Sequence, residues 1–197
     1  CDSGDVAPFV LLPGDPGRVP LVAEQWDTAH LVAQNREYVT YTGQYKGVPI
    51  SCTSTGIGCP STAIAMEELA RVGARVFIRI GTCGTFLDHV NSGDLAIFDS
   101  AMRYDGASRL YAPIEFPAVA SLEVTQALIS AAQAAGGPYH VGTTRSADSF
   151  YARHARPGYG MSVMHRFMAV LVWLQRRSGH KDGIAGFQVH RLGEQFR

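Results

Sequence analysis

The chain has 197 residues, of which 46% are apolar and 17% are charged, and its formal net charge is zero. This composition excludes global disorder, and the length suits one domain or slightly more. The longest late apolar run, residues 167–174, is too short to cross a bilayer. The first residues lack the pattern of a signal peptide, so we expect none.

Charge is unevenly distributed along the chain. Residues 1–144 carry 8 basic and 14 acidic residues, whereas residues 145–197 carry 9 basic and 3 acidic residues. The first part therefore has a net charge of −6 and the second a net charge of +6. Three interpretations are open: a basic surface face, a nucleic-acid-binding tail, or a tail that is not the native continuation of the domain.

Apolar runs and turn residues predict alternating strands and helices. The predicted elements in chain order are a strand at 9–12, a helix at 16–25, strands at 38–41 and 48–52, a helix at 63–72 that stops at Gly73, strands at 75–80 and from 95, a helix at 119–135 and a strand at 141–144. Continuous apolar strands separated by helices indicate an α/β protein with a mixed or mostly parallel sheet covered on both faces.

Three glycine-containing loops follow predicted strands, at residues 14–18, 54–61 and 81–85. In α/β sheets, ligands bind beyond the carboxyl ends of the strands. We therefore expect these loops to share one edge of the sheet and to form the binding site.

Arg79 lies inside a predicted apolar strand, where a charge is costly unless it is paired. It either pairs with a structural carboxylate or serves as an anion receptor at the strand end. Arg18 follows the first loop and is either a solvated side chain or a second anion ligand. Two guanidinium groups, with the backbone N–H groups near Gly14 and Thr82, would form an oxyanion site.

The remaining short motifs give weak or no evidence for a particular chemistry. Gly56 and Gly58 form an incomplete dinucleotide motif, and the sequence contains no P-loop, zinc-protease or serine-hydrolase motif. The stretch 149–151 is either ordinary core or an aromatic face for a planar ligand, with His154 and Arg156 at its polar edge. Four cysteines without C-x-x-C spacing are expected to be reduced thiols in a cytosolic protein.

Several ordered motifs resemble a known family. PGDPGR (13–18), STGIGCPS (54–61) and RIGTCG (79–84) look like the signature loops of the nucleoside phosphorylase superfamily of purine and uridine phosphorylases. DGAS (105–108), APIEFPAV (112–119) and SADSFY (146–151) are similar to the uridine phosphorylase branch. The resemblance runs from Phe9 to Tyr151. It implies a single-domain, three-layer α/β/α sandwich with a central mixed sheet, of the phosphorylase/hydrolase type.

The resemblance also implies an activity: a pentosyltransferase that converts uridine and phosphate reversibly into uracil and ribose 1-phosphate. The phosphate ligands that it implies are Gly14, Arg18, Arg36, Arg79 and Thr82. Of these, Arg79 and Thr82 are expected to be catalytic, and Arg36 is expected to be lent across a dimer interface. The implied base-binding residues are Phe150, His154 and Arg156.

The same resemblance predicts partners and location. No cofactor is required, but Glu37, Ile57 and Ser61 match a monovalent-cation site, usually potassium, at the dimer interface. We expect a cytoplasmic, dimer-based homo-oligomer, a hexamer, that acts on phosphate and a pyrimidine nucleoside and binds neither nucleic acid nor membrane.

The chain departs from the family pattern near its end. His154 replaces a glutamine, and the Glu-Met-Glu segment that grips the ribose is absent. We therefore expect an incomplete phosphorylase-like domain at 1–160 and a divergent or unrelated tail at 161–197. A truncated or frame-shifted gene with an unrelated tail is the simplest explanation, and a divergent but folded ending is the alternative. Two alternative functions follow: a homologue that binds phosphate or nucleoside, or pairs with other subunits, without turnover, and a nucleosidase that uses water.

Overall fold

The computed structural model describes residues 1–150 and 191–192. The elements are β1 (Phe9–Leu12), α1 (Arg18–Ala23), β2 (Thr28–Asn35), β3 (Tyr38–Tyr45), β4 (Val48–Thr53), α2 (Cys59–Val72), β5 (Val76–Gly81), β6 (Leu95–Tyr104), α3 (Ser108–Tyr111), β7 (Ala118–Val119), α4 (Leu122–Ala135), β8 (Tyr139–Ala147) and β9 (Arg191–Leu192).

The described strands form two sheets. One has the order β2-β3-β4-β1-β5-β9 and the other the order β7-β6-β8. β1 pairs in parallel with both β4 and β5, and β6 pairs in parallel with β8, while the remaining pairs are antiparallel. The predicted α/β class, with a mixed sheet and flanking helices, is confirmed.

The core lies between β1 and α2. Val10 and Leu12 of β1 are 1% exposed and pack with Ala65 and Leu69 of α2. These helix residues recur at the spacing that places them on one face, which is why the helix covers the sheet. The helix ends at Gly73, as the sequence predicts.

β2 has no counterpart among the elements predicted from the sequence. Its residues are mostly exposed, and no regular alternation of apolar residues marks it. Pairing with β3 defines it as a strand, and a two-residue turn, Arg36-Glu37, joins the two. An edge strand with one neighbour needs no buried face, so its sequence carries a weak signal.

The described part of the chain contains no disulfide and no membrane-spanning helix. None of the four cysteines, all of which lie in this part, forms a disulfide, as expected. None of the helices there has the length and the apolar character that spanning a membrane requires. The predicted boundary at residue 160 lies outside the described residues and stays a prediction.

Candidate functional site

The three glycine-containing loops meet at one edge of the larger sheet, as predicted. They follow β1, β4 and β5, which are adjacent and parallel, so their carboxyl ends lie side by side. The N–H of Thr55 donates to the carbonyl of Pro13, and the N–H of Gly56 donates to the carbonyl of Gly14, both at 2.9 Å. The first two loops therefore hold each other in place through their backbones.

Arg79 reaches across this edge from β5. Its Nη1 donates to the carbonyl oxygen of Leu12, the residue opposite it in β1. Its Nε is buried without a hydrogen-bond partner, and among the described residues no carboxylate lies within ion-pair distance. The alternative of a structural carboxylate partner is therefore wrong in the described part of the chain. A buried cation without a counter-charge is suited to bind an anion.

The electrostatics of Arg79 agree with this interpretation. Burial and, to a smaller extent, the nearby positive charge of Arg18 lower the pKa of its guanidinium to about 10. Both effects disfavour the charged form of the guanidinium. A bound phosphate would remove both penalties, because it supplies negative charge and accepts the unused N–H groups.

Gly14 makes room for this guanidinium. A Cβ added at Gly14 would lie 3.0 Å from Nη2 of Arg79 and 3.2 Å from the carbonyl oxygen of Gly56. Both distances are shorter than ordinary contacts. A side chain at this position would therefore push Arg79 away or spread the two loops apart.

Arg18 is the first residue of α1 and lies beside the same loop. Its Nε is 4.0 Å from Oδ2 of Asp15, and its side chain is 42% exposed. Such a long, solvated contact contributes little, so it leaves the guanidinium available for another anion. The other carboxylate oxygen of Asp15 accepts the N–H of Gly17 at 2.9 Å and shapes the turn.

Thr82 directly follows the last residue of β5 and is half-buried. Its neighbour Cys83 is fully buried and packs with Val90 and Ala96. The structure therefore places Thr82 on the same edge as Arg79, at the start of the connection to β6.

Arg36 lies on a different element from Arg18 and Arg79, at the tip of the β2–β3 hairpin. It lies exposed in the turn between β2 and β3 and has a positive φ of 52°. A non-glycine residue rarely adopts this conformation, so the hairpin fixes it there. The exposed tip suits the predicted contribution of Arg36 to a second copy of the chain.

The three predicted cation ligands lie close together. The hydroxyl of Ser61 donates to the carbonyls of Ile57, at 3.4 Å, and Gly58, at 3.0 Å. The side chain of Glu37 packs against Gly56, where an added Cβ would lie 2.7 Å from its Cγ. Gly56 has φ of 68°, so both its backbone and its neighbour require glycine. The cluster offers carboxylate, carbonyl and hydroxyl oxygens.

The second loop also contacts β8, through a cysteine that was not predicted as a site residue from the sequence. The thiol of Cys59, the first residue of α2, lies 3.6 Å from the hydroxyl of Ser146 in β8. Burial and, to a smaller extent, the nearby carboxylates of Asp105 and Asp148 raise the pKa of this thiol to about 11. The sequence signal that could have indicated Cys59 as a site residue was its position in the glycine-containing loop 54–61.

Of the three predicted base-binding residues, the structure describes Phe150 alone. Phe150 is half-buried and lies three residues beyond the end of β8. His154 and Arg156 lie outside the described residues.

Comparisons with known proteins agree with this geometry. The sequence profile of the phosphorylase superfamily matches residues 8–169. The chain is 58% identical over 158 residues to a uridine phosphorylase of Thermococcus kodakarensis. The aligned residues cover 80% of this chain and 57% of that protein. It is 47% identical over 150 residues to a uridine phosphorylase of Escherichia coli, covering 76% and 59%.

A guanosine phosphorylase of Halorubrum lacusprofundi is 43% identical over 150 residues, which cover 76% of this chain and 62% of that protein. The chain spans less than two thirds of the length of these relatives. The profile, the sequence identities and the three loops around Arg79 lead to one conclusion: the chain belongs to the phosphorylase superfamily.

Proposed function

We propose that this chain is a uridine phosphorylase-like pentosyltransferase, which cleaves a pyrimidine nucleoside with phosphate to release the base and ribose 1-phosphate. The observation that carries the proposal is the guanidinium of Arg79, whose Nε is buried without a partner and which has no counter-charge among the described residues, beside a second arginine, Arg18. Relatives named uridine phosphorylase, at 44–58% identity, support the substrate class.

The proposed mechanism depends on the placement of phosphate. Arg18, Arg79 and Thr82 would bind its oxygens, with Gly14 providing close backbone approach. Each charge-assisted hydrogen bond contributes about 1.5–3 kcal/mol. A phosphate oxygen held below the ribose C1 attacks as the glycosidic bond breaks and positive charge develops on the sugar.

The leaving base gains negative charge in the same step. Phe150 would lie against the base, and His154 and Arg156 would donate to its polar edge. His154 stands where the family has a glutamine. A neutral imidazole donates one hydrogen bond, whereas the amide of glutamine offers a paired donor and acceptor to the base. The reaction needs no covalent intermediate on the protein, in keeping with the absence of nucleophile motifs from the sequence.

We also propose that the protein is cytoplasmic and that its chains form dimers, which assemble into a hexamer. Its support is the exposed position of Arg36 at a hairpin tip, from which it would complete the phosphate site of a second copy. Glu37, Ile57 and Ser61 would hold a potassium ion at that interface, since hard cations prefer oxygen ligands. The cation would stabilise the interface and take no part in the reaction.

The test is release of uracil from uridine by the purified chain, measured with and without phosphate. We expect release that requires phosphate, and loss of at least 10²-fold in Arg79→Met. Arg71→Met, at an exposed position on α2, is the matched control.

Each other outcome identifies an alternative. Equal release without phosphate would identify a nucleosidase that uses water. Binding of phosphate without release would identify a homologue that binds without turnover, the alternative that the missing Glu-Met-Glu segment raises. Release of guanine from guanosine at a higher rate than uracil would overturn the pyrimidine assignment.

A further inference from the structure

The connection from β5 to β6, residues 82–94, is the longest stretch without helix or strand in the described part of the chain. It begins with Thr82, which the proposed function places at the phosphate. Two backbone hydrogen bonds, of 3.2 and 3.1 Å, form inside it. A connection with so little regular pairing depends on side chains to keep its shape.

At the far end of this connection, Asp94 forms a hydrogen bond with a histidine of β8. Oδ2 of Asp94 lies 2.9 Å from Nε2 of His140 in β8, and the two side chains are 8% and 20% exposed. The same oxygen accepts the N–H of Asn91 at 2.9 Å. The ring of His89 contacts the His140 ring edge-on, with centroids 5.9 Å apart. Two donors thus satisfy the buried carboxylate, and the Asn91 N–H most strongly lowers its pKa.

Packing connects this pair to Thr82. Cys83 and Val90 pack with Ala96 of β6 in one buried cluster. Ala96 lies directly opposite His140 in the β6–β8 register. The residue after Thr82 therefore packs against Ala96, the β6 residue that is paired with His140 in the sheet.

We propose that Asp94 and His140 form a positioning pair, which fixes residues 82–94 against β8 and thereby holds Thr82 at the phosphate. The role of Thr82 in this proposal rests on the proposed function. His140 does not touch substrate: it lies six residues before Ser146 in β8, about 20 Å from that end of the strand.

The first test is amide hydrogen exchange in the full chain. His140→Ala leaves the Asp94 carboxylate without its main side-chain partner, so we expect at least tenfold faster exchange across 82–94 and unchanged exchange in α4. His140→Gln keeps an N–H donor at a similar reach and should restore slow exchange. His30→Ala, at an exposed histidine of β2, is the control. Unchanged exchange at 82–94 in His140→Ala would overturn the proposal.

The second test concerns phosphate. We expect His140→Ala to raise the KM for phosphate about tenfold and to change kcat less than twofold, since saturating phosphate restores the segment. In a Thr82→Val background, the same substitution should change phosphate affinity less than twofold, because the contact that it disturbs is already absent. An undiminished effect in that background would show that the pair acts elsewhere, and would overturn the positioning role.

The two proposals can fail separately. A wild-type chain that neither binds phosphate nor releases base would refute the proposed function. Hydrogen exchange at 82–94 would still decide whether the pair fixes the segment, since that measurement needs no turnover.

Discussion

The guanidinium of Arg79 lies directly against Gly14, so close that a Cβ at Gly14 would stand 3.0 Å from Nη2. Arg79 comes from β5 and Gly14 from the loop after β1, and the parallel pairing of these strands brings them together. The contact combines a buried charge with a position that has no room for a side chain. It is therefore the most informative place to disturb the proposed phosphate site.

Gly14→Ala is expected to weaken phosphate binding about tenfold, or by roughly 1.4 kcal/mol. The added methyl group would displace the end of Arg79 and press on the carbonyl of Gly56. Isothermal titration calorimetry with phosphate measures the effect. Gly137→Ala is the control, because an added Cβ there meets open space. Equal phosphate affinity in Gly14→Ala and wild type would contradict the placement of phosphate here.

Arg79→Met is expected to raise the Tm of the phosphate-free protein and to abolish the increase in Tm that phosphate causes. Burial lowers the pKa of Arg79, so the unfolded chain binds its proton more tightly than the folded chain does. This charge therefore reduces stability at neutral pH, and the penalty disappears as pH rises through about 10 and above. Thermal unfolding with and without phosphate measures both effects.

For a protein of this size, each kcal/mol of change in the free energy of unfolding shifts the Tm by about 2–4 °C. Arg71→Met should leave the phosphate-dependent shift intact. A phosphate-dependent shift that persists in Arg79→Met would place the anion elsewhere.

Arg103→Lys is expected to loosen residues 105–117. All three nitrogens of Arg103 donate, to the hydroxyl and carbonyl oxygens of Ser108 and to the carbonyls of Ala112, Pro113 and Phe116, at 2.6–3.1 Å. A lysine has three donors at one point and cannot reproduce this fork. We expect a loss of about 2–4 kcal/mol in the free energy of unfolding, measured by urea titration.

Arg109→Lys is the matched control for this change, because Arg109 lies exposed on α3. Limited proteolysis should cut Arg103→Lys within 105–117 and leave the control intact there. Similar stability in both variants would show that the hydrogen bonds of Arg103 are dispensable.

Alkylation with iodoacetamide at pH 8 is expected to modify Cys1 well before Cys59 or Cys52. Cys1 is exposed, whereas burial raises the pKa of Cys59 to about 11 and that of Cys52 to about 12. The reactive thiolate of Cys59 is then about one molecule in 10³ at this pH, and its share grows tenfold per pH unit until the pKa is reached. Peptide mass spectrometry measures the order. Modification of Cys59 at the rate of Cys1 would contradict the burial of its thiol.

The sequence predicted that the three loops share one edge of the sheet, because its signals are local. Glycine-rich loops after apolar strands indicate where parallel strands end, and the fold places the first, second and third loops together. The motifs around Arg79 also predicted the family, which the profile match over residues 8–169 confirms. The roles of the individual site residues stay predictions.

Other features depended on long-range contacts. β2 became a strand through its pairing with β3, although its own residues lack a strand pattern. The contact between Cys59 and Ser146 spans 87 positions and the pair of Asp94 with His140 spans 46. No periodicity within one segment can predict such a contact.

The order of residues by itself determined the α/β class, the position of the loops and the family, because turn residues and apolar runs act over a few neighbouring positions. Only the tertiary structure decided that Arg79 lies buried with an unused N–H group, that Gly14 makes room for it, and that Asp94 pairs with His140. These facts depend on which distant residues share a low-dielectric interior, where an unpaired charge is most costly.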